Sequence, residues 1–168
     1  MPLSIAQFNS LVDEHGPALY RTAYRMMGDQ HEAEDIVQET YRSAWKSRER
    51  YEAGRADRAW LMSILRRRVV DRYRRKKLPL VHGDQAAEEA SVPCYDPAAN
   101  ELSDEMQAAL STLAPELKES LLLVVVGELT HQEVANLMHI PLGTVLSRVS
   151  RARRKLREAL LAAAREHA

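Results

Sequence analysis

Apolar residues recur along this chain at spacings of three and four, the period of a helix with one face turned inward. Phe8, Leu11 and Val12 make a first stripe, which Gly16-Pro17 interrupts. Because proline suits the first turn of a helix, Pro17 is expected to open a second one carrying Leu19, Tyr20, Ala23, Met26 and Met27. Gly28 can take the left-handed conformation that ends a helix, and Asp29 can cap the next. That helix sets Ala33, Ile36, Val37, Thr40, Tyr41, Ala44 and Trp45 on one face and Glu34, Asp35, Gln38, Glu39 and Arg42 on the other. The periodicity fades from Arg48 to Asp57, around Gly54. A fourth helix starts near Ala59-Trp60, buries Leu61, Ile64 and Leu65, and runs into Arg66-Arg67-Arg68, Arg72 and Arg74-Arg75-Lys76-Lys77.

The rhythm stops at Leu78. Between residues 78 and 100, Pro79, Pro93 and Pro97 stand among Gly83, Asp84, Glu88, Glu89 and Ser91, the composition of a flexible acidic linker. A loop of that length is uncommon inside one domain, so residues 1–77 and 101–168 are expected to form separate helical domains. In the second, Leu102, Met106, Ala109, Leu110 and Leu113 describe one amphipathic helix, and Pro115 opens another through Leu117, Leu121, Leu122, Val124 and Val125 to Gly127. Thr130-His131-Gln132-Glu133 has the capping-box spacing, so a short helix begins there and ends around Met138. The turn His139-Ile140-Pro141-Leu142-Gly143 leads into a long helix from about Thr144 to Ala164.

A short helix, a brief turn and a second helix form the arrangement in which the second helix enters the DNA major groove. Here Val145, Val149, Ala152, Leu156 and Leu160 make the seam that packs inward. Thr144, Ser147, Arg148, Arg151, Arg154 and Lys155 lie off it. Arginine can bond guanine O6 and N7 together, and Ser, Thr and Lys can hold phosphates. A basic flank alone describes any solvated helix; the capped helix and turn before it are what favour DNA.

Composition narrows the fold class to all-α, since six glycines, one phenylalanine and few β-branched runs argue against sheet. No uncharged apolar run reaches the length of a membrane span, and the N-terminus lacks the basic flank of a secretory signal, so a cytoplasmic protein is expected. Cys94, the single cysteine, cannot form an internal disulfide or by itself hold a structural zinc, and no cofactor is expected. The net charge of zero hides a pattern: residues 60–77 carry +7, residues 80–119 carry −8 and residues 148–168 carry +5. Two basic blocks separated by an acidic one suggest two polyanion-binding surfaces. They also predict that in the free chain the acidic segment lies near the basic helices and masks them.

Two other classes explain less. A metal enzyme could be sought in His15, His31, Glu34 and Asp35, but there is no HExxH or repeated ExxH pair, and Glu34 and Asp35 fall on the wet face. A helix-turn-helix repressor would account for residues 101–164 and leave the first 77 unexplained.

The order of motifs is more specific than any one of them. Ala33-Glu34-Asp35-Ile36-Val37-Gln38-Glu39-Thr40-Tyr41 is followed by Ala59-Trp60-Leu61 and the basic helix with Asp71. After the linker come Leu113-Ala114-Pro115, Leu129-Thr130-His131-Gln132-Glu133-Val134-Ala135 and Gly143-Thr144-Val145-Leu146-Ser147-Arg148-Val149-Ser150-Arg151-Ala152-Arg153. From Phe8 to Leu160 this series resembles the extracytoplasmic-function sigma factors of bacterial RNA polymerase. The resemblance implies a first domain, region 2, that binds the polymerase clamp coiled coil through the face carrying Asp35, Gln38 and Glu39. It implies that Arg55, Trp60, Arg66, Arg67, Arg72 and Arg75 hold the −10 element, which suits single strands gripped by stacking and cations. It implies a second domain, region 4, that presents Thr144, Ser147, Arg148, Arg151, Arg154 and Lys155 to the −35 element and leans on the polymerase flap. An anti-sigma protein is a further partner the family suggests.

The bland alternative for Trp60 is a core residue beside Leu61 and Ile64, and for Asp71 two readings stay open, a pair with Arg67 or Arg75 four residues away or contact with a ligand. The chain departs from the family pattern in four places. Arg66-Arg67 stands for the usual Arg-Asn, Lys118 for a frequent arginine, and His131 for a tyrosine or small polar residue. Leu146 stands for a lysine or arginine, removing one backbone contact.

Overall fold

A computed structural model describes residues 2–52, 56–78 and 104–168. Residues 79–100 of the expected linker, with Cys94, and Arg55 and Leu102 fall outside the described residues. Among the described residues every long element is a helix: α1 (Ile5–Met27), α2 (Gln30–Lys46), α3 (Asp57–Lys77), α4 (Asp104–Ser111), α5 (Pro115–Val125), α6 (His131–Met138) and α7 (Leu142–Glu166), with a 3-10 turn at Arg48–Arg50.

Helices α1, α2 and α3 pack against one another around Leu19, Ile36, Val37, Leu61, Met62 and Leu65, all fully buried. Ser4 opens α1 with a capping box, its Oγ accepting from Gln7 N at 3.2 Å while Gln7 Oε1 accepts from Ser4 N at 3.0 Å. The expected break at Pro17 does not occur, and α1 runs through it as one helix. Interior proline costs roughly 3 kcal/mol. Leu11, His15, Ala18, Leu19 and Thr22 are buried on both sides of the proline, so one continuous inner face outweighs that cost. Gly28, at φ +71°, closes α1 by donating to Tyr24 O at 2.8 Å, and Asp29 Oδ1 accepts from Glu32 N at 2.9 Å to open α2. Two buried hydroxyls, on Thr22 and Thr40, donate back to Ala18 O and Ile36 O at 2.8 and 2.7 Å, so neither is left unsatisfied in the core.

In the second unit α4, α5 and α6 all pack on α7. Helix α5 begins with Pro115 at its first turn. Gly127 follows it for a steric reason: a Cβ there would stand 2.7 Å from Leu123 O, while its own N–H donates to Leu122 O at 2.8 Å. The Thr130–Glu133 box is complete, with Glu133 N donating to Thr130 Oγ1 at 3.1 Å and Thr130 N to Glu133 Oε2 at 2.8 Å. Thr130→Ala is therefore expected to cost about 1 kcal/mol in urea unfolding of the second unit. His139, left-handed at φ 55°, ends α6 and swings the chain into α7. Helices α3 and α7 each start two residues before the expected position, at Asp57 and Leu142.

Candidate polymerase and promoter surfaces

On α2 the buried positions Ala33, Ile36, Val37, Thr40 and Ala44 leave the other face to polar groups. Asp35 has a side chain 57% exposed, whereas Glu39 is 34% exposed and Gln38 is half-buried. Both carboxylates face Arg72 of α3, Glu39 at 3.3 Å and Asp35 at 3.9 Å, and one turn on Lys76 meets Glu32 at 2.6 Å. The residues expected at the polymerase and one expected at the −10 element are thus joined in a single charge network across α2 and α3.

The other basic residues of α3 differ in availability. Arg67 and Arg75 are exposed, while Arg66 is tied by an ion pair to Glu119 of α5. Asp71 pairs with Arg68, three residues before it at 3.6 Å, and not with Arg67 or Arg75, the partners one of its two readings offered. The three-residue step brings Arg68 over Asp71 on the same side of α3. Trp60 is half-buried, its ring 5.2 Å from that of Tyr51. The Tyr51 hydroxyl donates to Asp57 at 2.6 Å, and that bond, with some burial, pushes the phenol up to about 12. The Tyr51–Asp57 pair therefore braces Trp60 at the start of α3, leaving it partly accessible.

On α7 the seam is as expected: Val145, Val149 and Ala152 are buried and Leu156 and Leu160 half-buried. Ser147, Arg151, Arg154 and Lys155 are exposed, and Thr144 and Arg148 are half-buried. Arg151 Nε rests on Ser147 O at 3.4 Å, so its guanidinium lies along the helix face. Leu142 and Leu146, one turn apart, are 40% and 48% exposed at the start of this helix. Sequence reasoning counted Leu146 only as a lost cation.

The two units dock through polar contacts on the C-terminal end of α1. Lys118 Nζ donates to Met26 O at 3.0 Å, and the Tyr73 hydroxyl donates to the same carbonyl. Gln107 Nε2 donates to Arg25 O at 3.3 Å, while Arg25 donates to Gln107 Oε1 at 3.0 Å. These groups satisfy carbonyls that a helix end leaves unpaired. Burial lowers the Lys118 pKa and raises that of Glu119; beside Glu119, Arg66 and then Arg148 pull it back down. A second pair, Arg58 with Glu128, borders an open cleft of about 460 Å³ lined also by His15 and Asp57. Lys118 and Gln107 carried no docking signal in the sequence, because their partners are backbone carbonyls and, for Gln107, also an arginine 82 residues away.

Family models for Sigma-70 region 2 and Sigma-70, region 4 match residues 11–78 and 103–156. The ECF RNA polymerase sigma factor EcfG of Rhodopseudomonas palustris is 30% identical over 140 residues, covering 83% of this chain and 77% of that protein. This chain belongs to the ECF sigma factors of the sigma-70 family. The sigma factor is also 32% identical to SigE of Mycolicibacterium smegmatis over 94% of its own length, although it spans only 63% of that relative. Among solved structures it is similar to the Bartonella quintana sigma factor RpoE, captured with the anti-sigma factor NepR, at TM-score 0.74 and 26% identity. That match covers 93% of this chain and 98% of that one. It is likewise similar to CnrH, solved with the cytosolic domain of CnrY, at TM-score 0.71 and 27% identity over 95% and 90%. Among the described residues of this sigma factor no helix is long and apolar enough to cross a membrane, and no group of three His, Cys, Asp or Glu could hold a metal.

Proposed function

We propose that this chain is a non-enzymatic, cytoplasmic regulator: an alternative sigma factor that binds core RNA polymerase and directs it to promoters with defined −10 and −35 elements. The observation that carries this is α7, an exposed face of hydroxyls and cations on a helix whose other side is anchored by Val145, Val149 and Ala152. Residues 1–77 would serve as region 2, engaging polymerase through Asp35, Gln38 and Glu39 and the −10 element through Trp60, Arg66, Arg67, Arg72 and Arg75, with Arg55 outside the described residues. Residues 101–168 would serve as region 4, reading the −35 element. Similarity to the sigma factor RpoE, solved with the anti-sigma factor NepR, supports regulation by a partner of that kind.

The test is reconstitution with core polymerase and selection of promoters from a randomised library. Arg148→Ala or Arg151→Ala should cost about 1–3 kcal/mol at the selected −35 element and relax the preference at one position. Lys155→Ala should weaken all sequences alike and lower the salt slope by about one unit. A chain that selects the same DNA with and without polymerase would be a repressor, and the proposal would fall.

A further inference from the structure

Two leucines stand where a DNA-reading helix would be expected to carry polar groups. Leu142 and Leu146 lie off the buried seam, one turn apart at the entry end of α7, with Gly143 beside them and open space where its side chain would be. Neither contributes to the core, and neither can hold a phosphate. The one apolar group that B-DNA presents in the major groove is the C5-methyl of thymine. We propose, building on the reading of α7 as the −35 helix, that Leu146, flanked by Leu142, specifies thymine in the −35 element by covering that methyl. The bare backbone at Gly143 lets the helix end come close enough for a van der Waals contact.

The experiment uses holoenzyme and its library-selected promoter, with each −35 thymine replaced in turn by deoxyuridine, which removes the methyl and leaves base pairing intact. Wild-type binding should fall about fourfold at one or two adjacent positions, the worth of roughly one buried methyl. Leu146→Ala should bind thymine and uracil templates equally, while Arg151→Ala keeps the difference. Insensitivity to every deoxyuridine, or an undiminished ratio in Leu146→Ala, would overturn the assignment. Failure to select any promoter would instead remove the sigma reading itself.

A different observation carries a second inference. Glu119 is largely buried at the seam between the two units, paired with Arg66 of α3 and lying in the field of Arg148 of α7. One carboxylate therefore ties down a cation of the proposed −10 surface from a helix of the unit that carries the proposed −35 surface. We infer that Glu119 is a latch that keeps the free chain closed, and that opening it releases Arg66 and leaves α7 free to meet promoter DNA. This rests on the roles proposed for α3 and α7. Arg58–Glu128, at the solvent-exposed cleft, contributes less because water screens it.

The discriminating variant is Arg66→Gln in the full chain without polymerase, tested on a duplex carrying only the −35 element. Simple electrostatics predicts weaker binding when a cation is lost. The latch predicts the reverse, an affinity gain of about three- to tenfold, with a larger radius of gyration in small-angle scattering. Glu119→Gln should open the chain equally, and the swap Arg66→Glu with Glu119→Arg should return it to the compact radius. An unchanged radius in both single variants, or weaker −35 binding by Arg66→Gln, would refute the latch. Sequence-specific transcription by the wild-type holoenzyme would survive that result.

Discussion

Reversing both acids of the α2 face, Asp35→Arg with Glu39→Arg, is expected to weaken assembly with core polymerase by about 100-fold, since like charges brought together at an interface cost several kcal/mol. The helical circular-dichroism signal should be retained. Helix α2 is anchored from its other side by Ile36 and Val37, both fully buried, and the lost pairs with Arg72 are exposed enough to be worth little. Because Arg72 touches both carboxylates, the reversal alone does not separate a polymerase contact from a disturbed α3. Arg72→Ala separates them. It frees Asp35 and Glu39 without changing their sign, so assembly measured by fluorescence anisotropy should hold or improve while promoter melting declines. Equal losses of assembly in Arg72→Ala and the double reversal would show that α2 acts only by bracing α3.

What the sequence made legible was local. The capping box at Thr130, the stop at Gly28 and the cap at Asp29 depend on neighbours within four residues, and each is present. Pro17 misled because a local penalty was weighed without the long buried face that spans it. The box at Ser4 passed unnoticed although its spacing to Gln7 carries the same signal. Asp71 could be assigned a neighbour by helical geometry but not the right one, since steps of three and four are both open to it. The charge pattern marked acidic and basic blocks along the chain. It could not single out the Arg66–Glu119 and Arg58–Glu128 pairs, nor the capping of α1 carbonyls by Lys118 and Gln107. Those contacts depend on how the two units sit, which no periodicity encodes.

Leu123→Ala is expected to destabilise the second unit by about 2–5 kcal/mol, because the side chain is fully buried in the last turn of α5, where truncation leaves a cavity. In calorimetry this should appear as a transition roughly 10–40 °C lower for that unit, given its size. The first unit, built on Leu19, Ile36 and Leu61, should melt near its original temperature. The reason lies in the seam: the buried apolar residues of both units form one continuous cluster, but helix packing across it, α1 on α5 and α3 on α6, is lighter than the main packing within either unit, and the rest of the joint is ion pairs, Lys118 on Met26 O and the Arg25–Gln107 exchange. Its polar contacts are worth much less than a core leucine and its apolar packing is the lighter share, so the seam is expected to part before either unit unfolds. That order is also what a latch requires. A single transition displaced as a whole would show instead that the two units share one cooperative core, and that opening the seam costs as much as unfolding.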